Sequence, residues 1–508
     1  MFHWSLRRRA ALATATCGAV TALLTSTGAG AVATTNAEPV STPVTIATPD
    51  GVVSSYLLNT RIANPGQTRL VERAVEKAGG VVVQSWPQIG VVVAHADVST
   101  FRADVRSAAG NALDSVGATR TVPVTEGTPA DLHATWGRGA SGYKRDAKKD
   151  ANGDVGSEAT EATTTDPRES EQWDLQMIKA DQAHAITDGN RNVLVGVLDS
   201  GIDPDHPDLA ANIDVADSVN CSDAGRPDTS ATGWYPTTSD HGTHVAGTIA
   251  AARNGVGIVG VAPNVRLASV KVVNDAGFIY PEYAVCGFVW AGAYHMDVTN
   301  NSYYVDPFQF YCEDQPDQYA AKEAVRRAVT WSTGQGVVHA AAAGNSSYDL
   351  ANKTTDTTSP DDGTLVNRTI NNACQDIPTE LDGVVTVAST QRFPAGTMES
   401  RLSSFSNRGL GVIDVAAPGS SILSTVVANN GYGLKSGTSM ASPHVAGVLA
   451  LMKSAHPDWS PAKMIQEIRA QADDKPCGTT TAGAACIGTD ADNSYFGEGV
   501  VDALDAVR

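Results

Sequence analysis

The residues with most to offer chemically stand near the C-terminus, in the stretch Ser436-Gly437-Thr438-Ser439-Met440-Ala441-Ser442-Pro443-His444-Val445-Ala446-Gly447. The apolar run over 445–452 predicts a buried helix, with Pro443 in its first turn, where a missing N–H costs little. Ser439 then sits at a helix N-terminus, where unpaired backbone N–H groups and the helix dipole favour negative charge. A serine so placed is suited to attack a carbonyl, because an oxyanion formed beside it is stabilised. It is equally suited to be a plain N-cap. Partners elsewhere in the chain decide between the two.

Three positions offer such partners. Val195-Gly196-Val197-Leu198-Asp199 reads as a buried strand ending on a carboxylate. That carboxylate needs a compensating donor, either an imidazole N–H or the N–H groups of its own turn. Asp240-His241-Gly242-Thr243-His244-Val245-Ala246-Gly247 opens a helix with two histidines three apart. An imidazole takes a proton at neutral pH, but spacing does not say which of the two would act. A metal pair on that face would need the carboxylate of a His-Glu-x-x-His motif and a third ligand, and neither is evident. Ala340-Ala341-Ala342-Ala343-Gly344-Asn345 brings a carboxamide to a strand end, as an oxyanion donor or as a simple turn former.

The elements that must carry these side chains are legible as alternating patterns. Short β-branched strands are predicted over 192–198, 266–273, 297–301, 336–342 and 384–389, and helices over 241–252, 283–295, 317–333 and 442–454. The alternation predicts an α/β fold, a doubly wound, mostly parallel sheet covered on both faces. Such sheets bind ligands beyond the carboxyl ends of their strands. Asp199, His241, Asn345 and Ser439 all fall at strand ends or helix starts of this one domain.

The order Asp, His, Ser and the motifs Val197-Leu198-Asp199-Ser200-Gly201, His241-Gly242-Thr243-His244-Val245-Ala246-Gly247 and Gly437-Thr438-Ser439-Met440-Ala441-Ser442-Pro443 resemble those of the subtilisin-family serine peptidases, family S8. The resemblance covers about 166–508. It implies that Asp199 orients the imidazole, that His241 rather than His244 is the general base, that Ser439 attacks the peptide carbonyl, and that Asn345 donates to the oxyanion with the Ser439 N–H. His444 is then a structural helix residue, and catalysis needs no cofactor. The resemblance also implies that Gly277, Phe278 and Ile279 pair with extended substrate backbone. Ser302, Tyr303 and Tyr304 would line the opposite wall. Where many relatives have Ser-x-Gly-Gly, this chain has Ser302-Tyr303-Tyr304-Val305, and tyrosine in place of glycine narrows or reshapes that wall, which leaves a processing peptidase with dedicated substrates as the alternative to a general secreted endopeptidase. A catalytically dead binding protein would be expected to lack one of the four catalytic positions, and all four are filled.

Structural calcium is a further implication, with Asp208, Asn254, the carbonyls of Ala252, Val256 and Ile258, and Asp166 as corresponding ligands. Oxygen donors suit a hard cation. A solvated carboxylate with a turn-forming Asn is the alternative.

Ahead of this region, 52–122 reads β-α-β-β-α-β, a ferredoxin-like α+β order that by itself assigns no function. By position and element order it resembles the family's propeptide, an inhibitor and folding chaperone. Between the two, 123–165 is poor in apolar periodicity, an exposed linker where a maturation cut would fall. Residues 1–37 carry Arg7-Arg8-Arg9, an apolar run over 10–24 and small residues near Ala31, a secretory signal with its cleavage expected near 31–37. The arginines also permit twin-arginine export. The mature protein is expected to be extracellular.

Six cysteines remain beyond Cys17, an even number that in an exported chain predicts disulfides in one of 15 full pairings. Cys477 and Cys486 flank a short loop and form the favoured pair. A net charge of −19 argues against nucleic-acid or anionic-membrane partners. The expected partners are protein substrates and the chain's own propeptide, and the expected state is a monomer.

Overall fold

In a computed structural model of the chain, the structure describes residues 40–124, 165–477 and 485–508. The export signal expected at 1–37 and all but the ends of the linker expected at 123–165 lie outside them. The described residues belong to one unit, 39–508.

The larger part is built on a nine-stranded sheet. Its centre is β5 (Leu194–Asp199), flanked by β8 (Arg266–Lys271) and β9 (Val298–Asn301), with β10 (Val338–Ala342), β13 (Val384–Arg392) and β15 (Val415–Pro418) beyond β9. These pairings are parallel. On the other side β6 (Val219–Asp223) pairs parallel to β8, and the two antiparallel strands, β7 (Arg226–Asp228) and β14 (Ser400–Leu402), sit at the outer ends. Parallel strands need crossovers, and the crossovers bury both faces. Along β5, Val195 and Val197 enter one apolar core with α5 (His241–Ala250) and α8 (Thr438–Ala455). Leu194 and Leu198 enter the other, with α6 (Pro281–Ala293) and α7 (Pro316–Gly334). The doubly wound α/β architecture predicted above is the one observed.

Residues 54–118 form a second, four-stranded sheet in the order β2-β3-β1-β4. Its strands are β1 (Ser54–Thr60), β2 (Val81–Trp86), β3 (Val91–Ala96) and β4 (Leu113–Ala118). All its pairings are antiparallel, with α1 (Pro65–Lys77) and α2 (Phe101–Ala109) as the crossovers. This sheet lies on α6 and α7. A Cβ at Gly117 would stand 2.6 Å from the Asp317 Cα, so only glycine lets β4 come that close. The Asn59 Nδ2 donates to the Ala320 carbonyl at 2.8 Å, and the Ala118 N–H donates to Asp317 Oδ1 at 2.9 Å.

Several features went beyond the predicted elements. The strands β6, β7, β14 and β15, the short pair β11 (Thr355–Asp356) and β12 (Arg368–Thr369), the hairpin of β16 (Ile422–Val426) and β17 (Gly431–Lys435), the short helices α3 (Trp173–Met177) and α4 (Ala180–Ala183), and α9 (Pro461–Ala470) were not among the predicted elements. One expectation is corrected: α8 begins at Thr438, which places Pro443 in its body and not its first turn. The carbonyl that Pro443 cannot serve is that of Ser439, and Ser302 Oγ donates to it instead at 2.9 Å. Disulfides join Cys221 to Cys286, Cys312 to Cys374 and Cys477 to Cys486. Among the described residues no helix is long and apolar enough to cross a membrane.

Candidate active site

Asp199 is the last residue of β5, and its side chain is 2% exposed. Its carboxylate accepts from the Ser200 N–H at 2.7 Å and from His241 Nδ1 at 2.9 and 3.0 Å. Both kinds of donor weighed from the sequence are therefore engaged. With Nδ1 as donor, the outward Nε2 of a neutral ring is left as the acceptor. His241 opens α5, and Gly242 lets that helix start lie against the strand end: a Cβ there would be 2.5 Å from the Gly201 carbonyl. Burial works against charge on the imidazole. The Asp199 carboxylate, by its charge and its hydrogen bond, outweighs that and raises the pKa above the ordinary histidine value.

His244 faces away from this pair. Its Nε2 is shared between the Ile422 and Gly433 carbonyls at 3.1 and 3.2 Å, which ties α5 to the β16–β17 hairpin. Burial lowers its pKa to about 4, so it is neutral at pH 7. His444 is likewise enclosed, between the Met440 carbonyl at 2.8 Å and Asp174 at 3.0 Å.

Ser439 is the second residue of α8. Its hydroxyl donates to the Ser302 carbonyl at 3.2 Å, and among the described residues no hydrogen bond joins it to His241. A hydroxyl rotates, and such pairs often close only around a bound reactant. Beneath it, Ser442 Oγ donates to Asn300 Oδ1 at 2.7 Å, and Asn300 Nδ2 donates to Ser302 Oγ at 2.8 Å. The end of β9 and the first turns of α8 are thus held together by three hydrogen bonds that involve side chains, with the Asn300–Ser302 bond bracing the β9 side. Asn345 follows β10, and its Oδ1 accepts from the Thr438 N–H and hydroxyl at 2.8 and 2.9 Å. That fixes the carboxamide beside Ser439, and among the described residues Nδ2 has no acceptor.

The stretch Gly277, Phe278 and Ile279 leads into α6. Phe278 exchanges hydrogen bonds with Asn274, accepting from its N–H and donating to its Oδ1, each at 3.0 Å. The Ile279 N–H donates to the Asp306 carboxylate, and the Asp306 N–H returns to the Ile279 carbonyl at 2.9 Å. The backbone polar groups of Phe278 and Ile279 are therefore already used by the chain. Opposite, the Tyr303 hydroxyl donates to Asn301 Oδ1 at 3.1 Å, and the Tyr304 hydroxyl donates to Asp361 Oδ2 at 2.6 Å. Burial and then the adjacent Asp361 carboxylate push the Asp306 pKa well above its usual range. Asp306 and Asp361 carry no motif, and sequence reasoning passed over both.

The residues expected around a cation are close neighbours in part. Asp166 Oδ1 accepts from the Gly255 N–H at 2.6 Å, and Asp208 Oδ2 from the Ile258 N–H at 3.1 Å and the Tyr432 hydroxyl at 2.9 Å. The second oxygens, Asp166 Oδ2 and Asp208 Oδ1, are buried with no hydrogen-bond partner among the described residues. Burial raises the Asp166 pKa to about 6, and the Asp208 charge adds to that. Asn254 spends its Oδ1 on the Val256 N–H at 2.9 Å. Among the described residues no group of three or more His, Cys, Asp or Glu side chains could hold a metal. The two orphaned carboxylate oxygens nonetheless fit a hard, oxygen-seeking cation.

A parallel α/β sheet with a buried Asp–His pair at one strand end and a serine at a neighbouring helix start is the architecture of subtilisin-like peptidases. Residues 190–499 match the subtilase family, Peptidase_S8, and the chain belongs to that family. Over 300 residues it is 35% identical to subtilisin from Bacillus pumilus, covering 59% of this chain and 90% of that one. It is equally similar to subtilisin E from Bacillus subtilis, where the match spans 65% of the relative. The epidermin leader peptide processing serine protease from Staphylococcus aureus shares the fold, with a TM-score of 0.62 at 21% identity over 90% of this chain and 98% of that one.

Proposed function

We propose that the chain is the precursor of a secreted serine endopeptidase that cleaves proteins through an acyl-enzyme. The observation that carries this reading is the hydrogen bond between His241 Nδ1 and the buried Asp199, 2.9 Å long, with Ser439 at the head of the adjoining helix. His241 Nε2 takes the Ser439 proton as Oγ bonds to the peptide carbonyl carbon, and Asp199 stabilises the imidazolium that forms. Asn345 Nδ2 and the Ser439 N–H donate to the oxyanion. The imidazolium then protonates the leaving amine, and water repeats the sequence to release the acid.

Residues 52–122 are the inhibitory propeptide in this reading, with maturation in the linker 123–165, export directed by 1–37, and the peptidase domain over 166–508. Asp166 and Asp208 would hold a structural calcium ion, which supplies charge compensation to two buried carboxylates and takes no part in the reaction. A narrower enzyme is favoured over a general one by Tyr304 tied to Asp361 and by Asp306 on Ile279, which shorten the backbone edge open to a substrate.

The purified Ser439→Ala protein tests the mechanism. Labelling by a fluorophosphonate probe should vanish, and turnover of a casein or peptide substrate should fall by about six orders of magnitude. The variant should also retain residues 52–122 covalently. Residual turnover near wild type, or normal maturation of the pure variant, would remove the assigned nucleophile.

A further inference from the structure

Glu282 is the second residue of α6, and it is fully buried. Its Oε1 accepts hydrogen bonds from Ser55 Oγ at 2.8 Å, Thr119 Oγ1 at 3.2 Å and Arg120 Nη2 at 2.5 Å. All three donors belong to the N-terminal sheet and the strand leaving it. Glu282 Oε2 has no hydrogen-bond partner among the described residues. The Arg120 guanidinium lies 3.8 Å from the centre of the Tyr280 ring and 5.5 Å from that of Tyr283, and it also donates to the Tyr283 hydroxyl at 3.3 Å. Two aromatic faces and a carboxylate therefore enclose one arginine head group, with side-chain exposures of 2% and 0% for Arg120 and Glu282.

The walls of this pocket are contributed by the α/β part alone, and they begin at Tyr280, directly after the edge 277–279. Immediately after Arg120, the Thr121 N–H and hydroxyl bond Asp362 at 2.8 and 2.6 Å. Asp362 adjoins Asp361, which holds Tyr304. The segment leaving the N-terminal unit thus runs beside the proposed cleft with its arginine seated.

We infer that Tyr280, Glu282 and Tyr283 form an arginine-binding subsite of the mature enzyme, vacated by Arg120 and then filled by an arginine upstream of the cut in protein substrates. This rests on the peptidase reading above. A planar guanidinium suits the site better than an ammonium, because it stacks on the ring while it pairs with the carboxylate. Once the covering sheet leaves, water reaches the Glu282 carboxylate, and an arginine that returns to it regains both the charge-assisted pair and the ring contacts that Arg120 made.

The test uses the active enzyme as purified from the full-length chain and a series of fluorogenic peptides in which one arginine is walked upstream, residue by residue, from the cut. At one position arginine should raise kcat/KM about 30-fold over alanine, the ratio expected for a desolvated charge pair, and lysine at that position should recover only part of this. In Glu282→Gln the arginine-to-alanine ratio should fall to about 1. A ratio unchanged in that variant overturns the inference. If the variant yields no folded enzyme, the wild-type series decides alone, since a flat profile also overturns it. Peptides cleaved with a flat profile defeat this subsite and leave the peptidase reading standing, whereas no cleavage of any peptide defeats both.

Discussion

At the scale of the residue, the Asp199 carboxylate is what separates His241 from the buried His244 and His339. Burial, helped by the nearby Lys435 charge, lowers the pKa of His244 to about 4, and burial alone lowers that of His339 to about 3. His241 moves the other way because a carboxylate faces its Nδ1. The proposed base acts only when neutral, so kcat/KM should rise with pH and reach half its plateau above about 6.5, the ordinary histidine value. Asn at position 199 removes the raising influence and leaves burial, so the acid limb of Asp199→Asn should move below the wild-type one. Its plateau should drop by about four orders of magnitude. A pH–rate profile of both proteins checks the sign, and a wild-type limb below that value would count against His241 as base.

At the scale of the element, the turn that presents Ser439 depends on an exchange between α8 and β9. Pro443 has no N–H for the Ser439 carbonyl, and Ser302 supplies the missing donor. Ser302→Ala should therefore cost about 1–3 kcal/mol, the penalty for an unsatisfied buried acceptor, measured as a fall in Tm. Adding Pro443→Ala should return much of that loss, because residue 443 then has an N–H to offer. A double-mutant cycle with no coupling would show that the two side chains do not share the carbonyl. The core strands and the helices behind them were legible because each is a continuous apolar run. The predicted starts of β5 and β10 ran past the observed ones by two residues, where flanking loop residues continue the pattern. The hairpin β16–β17 was not legible, since Gly431, Tyr432 and Gly433 break any alternation. Its pairing is set instead by Ser424 and Thr425, whose hydroxyls bond the His244 and Thr243 carbonyls at 2.6 and 2.7 Å. Contacts of that kind join distant segments and leave no local period. The same holds for Asp306 and Glu282, whose partners come from distant parts of the chain.

At the scale of the whole molecule, the chain folds a strongly acidic sequence, −19 overall, around buried carboxylates. Asp166 and Asp208 each keep an orphaned oxygen near 252–258. Millimolar calcium should therefore raise Tm by several degrees and excess chelator should lower it, with Asp208→Asn abolishing the difference. For a protein of this size about 1 kcal/mol corresponds to roughly 2–4 °C. A Tm indifferent to calcium would leave those oxygens to water.

The three disulfides all close within 221–486, and no cysteine lies between residues 18 and 220. No disulfide thus ties the N-terminal sheet to the α/β part, and among the described residues the two are joined by non-covalent contacts alone, besides the backbone that leaves Val124. While that backbone is whole, the two parts meet at the millimolar effective concentration of a tether. After one cut between them, occupancy of the interface follows mass action, and simple dilution into a large volume lowers it. Under the proposed maturation, the covalent layout would make the volume into which the protein is released a control on the fraction of cut chains whose two parts remain together.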